Sequence, residues 1–253
     1  MARLSSDFYN GDTVEIAREL LGKIVVRVLD PSPVAERGPV TPAPLVPERG
    51  PLFLAASDAE RGLLFPAAPD ADSVTRPAPL VLAGRVTETE AYIGRCDKAC
   101  HAYGYRKTAR TAPLFLGPGH AYIYLIYGMY HCLNFVTEPE GEPAAVLIRA
   151  VDAVSGAEFM RRQRYGDRPM TPARIRGFLN GPGKVCQAFA LTTAQNGVDL
   201  TGDTLFVCDS PADIGLDELP PPREIVRAGP RIGIDYAEEA RDFPWRFTLT
   251  QSM

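Results

Sequence analysis

The chain predicts an α+β protein, and three observations carry that expectation. Apolar runs rich in β-branched residues recur at residues 23–29, 80–92, 121–127, 131–136, 144–150 and 204–208, the composition of strands. Helical signals are confined to residues 12–21, 156–164 and 182–191. The two kinds do not alternate strictly, as a doubly wound α/β fold would require.

Each element has its own local reason. Asp12 can cap a helix with Glu15 three residues on; Val14, Ala17, Leu20 and Leu21 form its stripe, and Gly22 ends it. The segment KIVVRVL at 23–29 follows as a strand. Of 24 prolines, 11 fall between residues 31 and 79, too many missing amide donors for regular structure. That stretch reads as an irregular excursion between two strands, partly disordered by composition. The helix at 182–191 begins at Pro182, after Asn180 or Gly181. No internal repeat is evident, and the whole chain of 253 residues is expected to form one domain with an insertion at 31–79.

Several classes drop out on composition. No charge-free run of about 18 apolar residues exists, so a membrane span is not expected. The N-terminus MARLSSDFYN lacks the apolar core of a secretory signal, and the 5 cysteines have no framework spacing. Reduced thiols and a cytoplasmic location are expected, nucleoid-associated if the source is bacterial. The net charge of −4 disfavours nucleic acid at first sight. Residues 85–184, however, hold 14 Lys and Arg against 9 Asp and Glu, while the remainder holds 13 against 22. That cationic middle reads either as a polyanion-binding surface or as solvated helix faces.

Side chains that could carry chemistry cluster in the same span. On a strand with period two, Glu88, Glu90 and Tyr92 share a face. A carboxylate beside a ring suits a general base in a desolvated pocket, and it equally suits an ion-paired surface residue. Residues 144–149 form a continuous apolar run ending in Arg149, whose guanidinium needs an anionic partner: a structural salt bridge, or Glu90 held ionised. Tyr127-Gly128-Met129-Tyr130 joins two strands as a hairpin with a large apolar tip. Such a tip either folds back on the core or inserts into a partner, a wedge between base pairs being one use. Cys96, Cys100 and His101 lack the second ligand pair of a zinc site, so no metal is expected. Residues 181–184 (GPGK) are not a phosphate-cradling loop, although amides at a helix start can meet a phosphate.

Taken together, residues 17–23 (ARELLGK), 88–94 (ETEAYIG), His101, 127–130 (YGMY) with Asn134, 146–149 (VLIR) and 181–188 (GPGKVCQA) resemble the alkyladenine (3-methyladenine) DNA glycosylase family. The likeness covers about residues 4–30 and 80–250, and the proline-rich stretch is the main departure. The resemblance implies a curved, largely antiparallel sheet with packed helices and a protruding hairpin that intercalates in DNA. It implies Glu90 as general base for water attacking C1′ of a flipped nucleotide, with Arg149 holding Glu90 and that water. Tyr92, His101, Tyr124 and Asn134 would form the base pocket, Asn134 helping to exclude guanine. Tyr127, with Met129 beside it, would fill the gap left in the duplex. Arg106, Arg110 and Lys184 would meet backbone phosphates.

The implied partner is double-stranded DNA containing alkylated or deaminated purines, handled by a monomer with no cofactor and no membrane association. No strand-cleaving lyase step is expected, since the family uses water rather than an amine. Two other readings stand beside this one: a non-catalytic damaged-DNA-binding module on the same scaffold, and a metal-dependent hydrolase built on Cys96, Cys100 and His101. The 31–79 stretch could be a tolerated insertion, a segment packed on the scaffold, or an extension of the DNA-facing surface. Ranking 3-methyladenine, 7-methylguanine, hypoxanthine and ethenoadenine rests on pocket differences of about 1–3 kcal/mol, below what sequence resolves.

Overall fold

Strand-forming residues dominate the middle of the chain and draw it into one antiparallel sheet. The computed structural model describes residues 2–30, 78–217 and 224–251. The chain divides into a unit of residues 1–29 with 79–253 and a second unit of residues 30–78. The first carries all of the elements below. The stretch expected to be irregular, 31–79, lies outside the described residues apart from Ala78 and Pro79.

Among the described residues the sheet contains β1 (Ile24–Leu29), β2 (Leu80–Ile93), β3 (Ala121–Ile126), β4 (Tyr130–Val136), β5 (Ala144–Ser155), β6 (Leu205–Cys208), β7 (Glu224–Gly229) and β8 (Arg246–Gln251). The spatial order is β3-β4-β5-β2-β1-β6, with β8 paired to both β2 and β7, and every pairing is antiparallel. The helices are α1 (Ser6–Tyr9), α2 (Thr13–Glu19), α3 (Ala157–Tyr165), α4 (Pro172–Arg176) and α5 (Pro182–Ala188). Asp12 caps α2 as expected, its carboxylate accepting the Val14 and Glu15 amides at 2.9 and 3.0 Å.

Alternation along the strands sorts side chains onto two faces. Ala91, Ile123, Leu133, Phe135, Val146 and Ile148 turn toward the helices and pack with Ile16, Ala17 and Leu20 near α2, Met160 of α3, and Val185 and Cys186 of α5. Thr89 belongs to this face and donates to the Ala17 carbonyl at 2.6 Å. The opposite parity carries Glu90, Tyr92, Tyr122, Tyr124, Asn134, Leu147 and Arg149. Register then aligns them sideways: Tyr122 lies opposite Asn134, Asn134 opposite Leu147, and Leu147 opposite Glu90. Five of the eleven site residues expected from sequence, Glu90, Tyr92, Tyr124, Asn134 and Arg149, thus share one face of four adjacent strands.

Several expectations change at the element ends. The strand expected over 144–150 is longer, because β5 continues to Ser155. The last helix ends at Ala188, not Leu191. Strands β7 and β8 and helices α1 and α4 have no counterpart in the sequence reading. The two strands are six residues each and mix polar with apolar side chains, and α4 is five residues long between Thr171 and Gly177. Register shifts between β2 and β5 flank Glu88, so pairing is broken beside the site.

Candidate active site

The site is built around Glu90, whose side chain is fully buried. An isolated carboxylate there would be costly, and its oxygens are accordingly bonded. One oxygen accepts the Ile232 amide at 2.8 Å; the other accepts the Tyr92 hydroxyl at 2.7 Å and Arg149 Nη1 at 3.2 Å. Burial raises the Glu90 pKa, and Arg149, the Tyr92 hydroxyl and the Ile232 amide pull against it. Arg149 in turn donates through Nε to Glu88 at 2.9 Å, and Glu88 also accepts from Arg246 at 3.1 Å. Of the two roles open to Arg149, the structure contains an ion pair to Glu90, and a second to Glu88.

A second buried pair braces this arrangement. Arg231 and Asp97 have no side-chain exposure, and Arg231 Nη2 donates to Asp97 at 2.7 Å. The same guanidinium donates to the carbonyls of Ala91 and Ala240 at 2.8 and 3.0 Å and lies 4.6 Å over the Tyr92 ring and 5.2 Å over Trp245. Arg231 therefore fastens the segment bearing the Ile232 amide to the strand bearing Glu90 and Tyr92. Sequence reasoning missed Arg231, Asp97 and Ile232. Nothing local marks Ile232, whose contribution is a backbone donor. A lone arginine after a proline carries no pattern either.

Beside the Glu90 partners Tyr92, Arg149 and Ile232 lies a cavity of about 290 Å³, which Glu90 itself does not line; it is small for a ligand pocket and rich in aromatic rings. Tyr92, His101, Tyr122, Tyr124, Asn134 and Arg149 line it. His101 meets Tyr124 edge-on with ring centres 4.6 Å apart, and its Nδ1 lies 3.0 Å from the Tyr122 hydroxyl. Burial first, then the Arg110 charge, lowers the His101 pKa to about 4, so the imidazole is neutral near pH 7. Burial pushes the Tyr122 phenol up to about 12 and the Tyr124 phenol higher still. Asn134 is pinned by donating to the Tyr122 carbonyl at 3.0 Å. Apart from Arg149, which is ion-paired with Glu88 and Glu90, the walls are thus neutral, hydrogen-bonded and rich in π surface. Tyr122 is a lining ring to which the sequence assigned no pocket role.

At the mouth stands the β3–β4 hairpin. Tyr127 and Gly128 have φ of 53° and 69°, the left-handed pair that tight hairpin turns need, and the Met129 amide reaches the Ile126 carbonyl at 3.2 Å. The tip does not fold back on the core: Tyr127 is 80% exposed and Met129 66%. Its foot is seated, because a methyl on Gly183 at the start of α5 would meet the Tyr130 ring at about 3 Å. Arg110 lies 5.2 Å over the Tyr124 ring, while Arg106 is exposed nearby in sequence. Lys184 sits at the α5 N-terminus beside the pocket-lining Pro182 and Gly183. Of the candidate metal ligands, Cys96 is exposed and Cys100 buried, and His101 is engaged with Tyr122.

Comparison with known proteins adds an independent line. Residues 73–253 match the model of the family described as methylpurine-DNA glycosylase (MPG). A protein of Bacillus thuringiensis (strain Al Hakam), described as "putative 3-methyladenine DNA glycosylase", is 39% identical over 240 residues, 95% of this chain and 92% of its own. Proteins with the same description from Bacillus cereus (strain Q1), at 39%, and Bacillus mycoides (strain KBAB4), at 40%, match over the same shares.

Proposed function

The chain belongs to the methylpurine-DNA glycosylase family, a family of DNA repair enzymes, and from that premise we propose how this member acts. It flips an alkylated or deaminated purine out of duplex DNA and hydrolyses its N-glycosidic bond with water activated by Glu90. The observation that carries the reading is a buried carboxylate whose three partners, Tyr92, Arg149 and Ile232, all line the adjoining aromatic-rich pocket. A carboxylate offers about four lone-pair positions, and three are occupied here, which leaves one for the proton of a water.

In the step proposed, water oxygen bonds to C1′ as the C1′–N bond breaks and its electron pair goes to the purine. Glu90 takes the water proton. Positive charge that develops on the sugar faces the same carboxylate. A purine methylated at N3 or N7 is cationic before cleavage and leaves neutral, so it needs no proton from the protein. The rings of Tyr92, Tyr124 and Tyr122 suit such a cation, and neutral His101 does not repel it. Asn134 fills floor space that the 2-amino group of guanine needs. Tyr127, with Met129, occupies the gap in the duplex, and Arg106, Arg110 and Lys184 meet phosphates. Among the described residues no lysine lines the pocket, in keeping with a monofunctional enzyme without a lyase step. The full chain acts as a single-domain monomer.

The test is a panel of duplexes, each with one defined lesion, assayed for free base and for strand cleavage. Release of methylated purine with an intact abasic strand is expected. Strand scission without added base would contradict the monofunctional reading, and no release from any lesion would contradict the activity. A damage-binding module without catalysis would bind the same duplexes and release nothing.

A further inference from the structure

The arginines of α3 and α4 differ in how they are neutralised. Glu158 holds both Arg161 and Arg162, at 2.8 and 2.9 Å. Arg168, Arg174, Arg176 and Lys184 form no ion pair among the described residues, and no Asp or Glu occurs anywhere from residue 168 to residue 198. Solvated surfaces normally intersperse both signs. This segment carries one sign only, in a chain whose net charge is −4.

The segment is also contiguous with the pocket. From the hairpin foot, the Tyr130 ring packs on Gly183, which lines the pocket. Lys184 follows, its stem over Gly181 and its Nζ 3.5 Å from where a methyl on Gly177 would sit. Gly177 caps the C-terminus of α4, placing Arg176 next along the surface. Beside it, a groove of about 340 Å³ separates Ile175, Arg176 and Asn180 from Thr87, Glu88 and Thr248. Two carboxylates line that groove: Glu88, already taken by Arg149 and Arg246, and Asp152, which feels the Arg85 charge. Ile175, between the two arginines, is 60% exposed and offers apolar surface for a sugar. Arg174 is steadied by donating to the Pro169 carbonyl at 2.6 Å and by the Tyr165 ring, 5.7 Å away, neither of which cancels its charge.

We propose that α4 extends the phosphate-binding surface beyond Lys184, as a ridge that grips the backbone of duplex DNA in addition to Arg106 and Arg110. The ridge rests on the reading of the pocket as one that receives a nucleotide from DNA. It adds footprint length rather than sequence discrimination, because phosphate contacts fix register and carry no base information. Each phosphate it neutralises releases a counterion, which makes the ridge visible in salt dependence.

The experiment measures affinity for a duplex bearing one abasic-site analogue across a salt series, using the full chain. The variants are Arg176→Gln, Arg174→Gln/Arg176→Gln and, as a control of equal charge change, Arg227→Gln on exposed β7. The plot of log affinity against log salt should flatten by about 0.9 for each phosphate no longer neutralised, and Arg176→Lys should restore the slope. Arg227→Gln should keep the wild-type slope. Arg176 has no side-chain partner to lose among the described residues, so its single variant tests the ridge even if the double variant folds poorly. A wild-type slope in Arg176→Gln and in the double variant would overturn the ridge. Duplex binding with the expected slopes but no base release would overturn the activity and leave the ridge standing.

Discussion

Burial of Glu90 opposes its ionisation, while Arg149, Tyr92 and the Ile232 amide favour it, and burial wins. A general base works only when ionised, so base release should fall as pH drops through a pKa above the ordinary 4.5 of a glutamate. Removing the Arg149 charge removes the largest opposing influence. Arg149→Gln should therefore move the acidic limb of the single-turnover pH profile to still higher pH, besides slowing the reaction. A limb that stayed in place would mean that Arg149 does not act on the ionisation of Glu90. The residues legible in sequence at this scale were those on a strand, where alternation put Glu88, Glu90 and Tyr92 together. Ile232 and Arg231 were not legible, since a backbone amide and a loop arginine acquire their roles only when distant segments meet.

At the scale of elements, the hairpin and the Arg231–Asp97 brace make separate predictions. Tyr127→Ala removes a ring that is 80% exposed, so it should leave thermal stability unchanged and weaken lesion-duplex binding. Loss of one stacked base is worth about 1–3 kcal/mol, roughly 5- to 150-fold in affinity. Equal affinity in Tyr127→Ala would mean that the tip does not enter the duplex. Arg231→Gln leaves Asp97 buried without its partner, which should cost about 3–5 kcal/mol. In a domain of this size that lowers Tm by roughly 6–20 °C; a wild-type melting temperature would show that the pair carries no structural role. The sequence made the hairpin visible because Tyr-Gly between two apolar runs is a turn signal. It left open whether the tip folds back, since that depends on Tyr130 finding Gly183, a partner more than fifty residues away. Strand β8 stayed hidden because RFTLTQ mixes polar and apolar residues too briefly for its pairing with β2 to be read.

For the whole molecule, one sheet divides the labour. Its helix-facing side buries the apolar stripe of α2 and most of α5, and its other side carries every strand residue of the pocket. The hairpin, α4 and all of the pocket's lining except Ile232, Gly233, Ile234 and Tyr236 fall within the cationic span of residues 85–184. An acidic total therefore says little about the surface that meets DNA. Family membership and α+β class were legible from sequence motifs. The electrostatic asymmetry was legible as a count, and the structure gives that count a location.

The central claim is that Glu90 is the base of a glycosidic hydrolysis. It is tested most directly by comparing wild type and Glu90→Gln for both lesion-duplex affinity and single-turnover release of a methylated purine. Binding should persist in Glu90→Gln while release falls by about 100-fold or more, the range expected for loss of a general base. Release at the wild-type rate by Glu90→Gln, with its amide in the same place, would contradict the account.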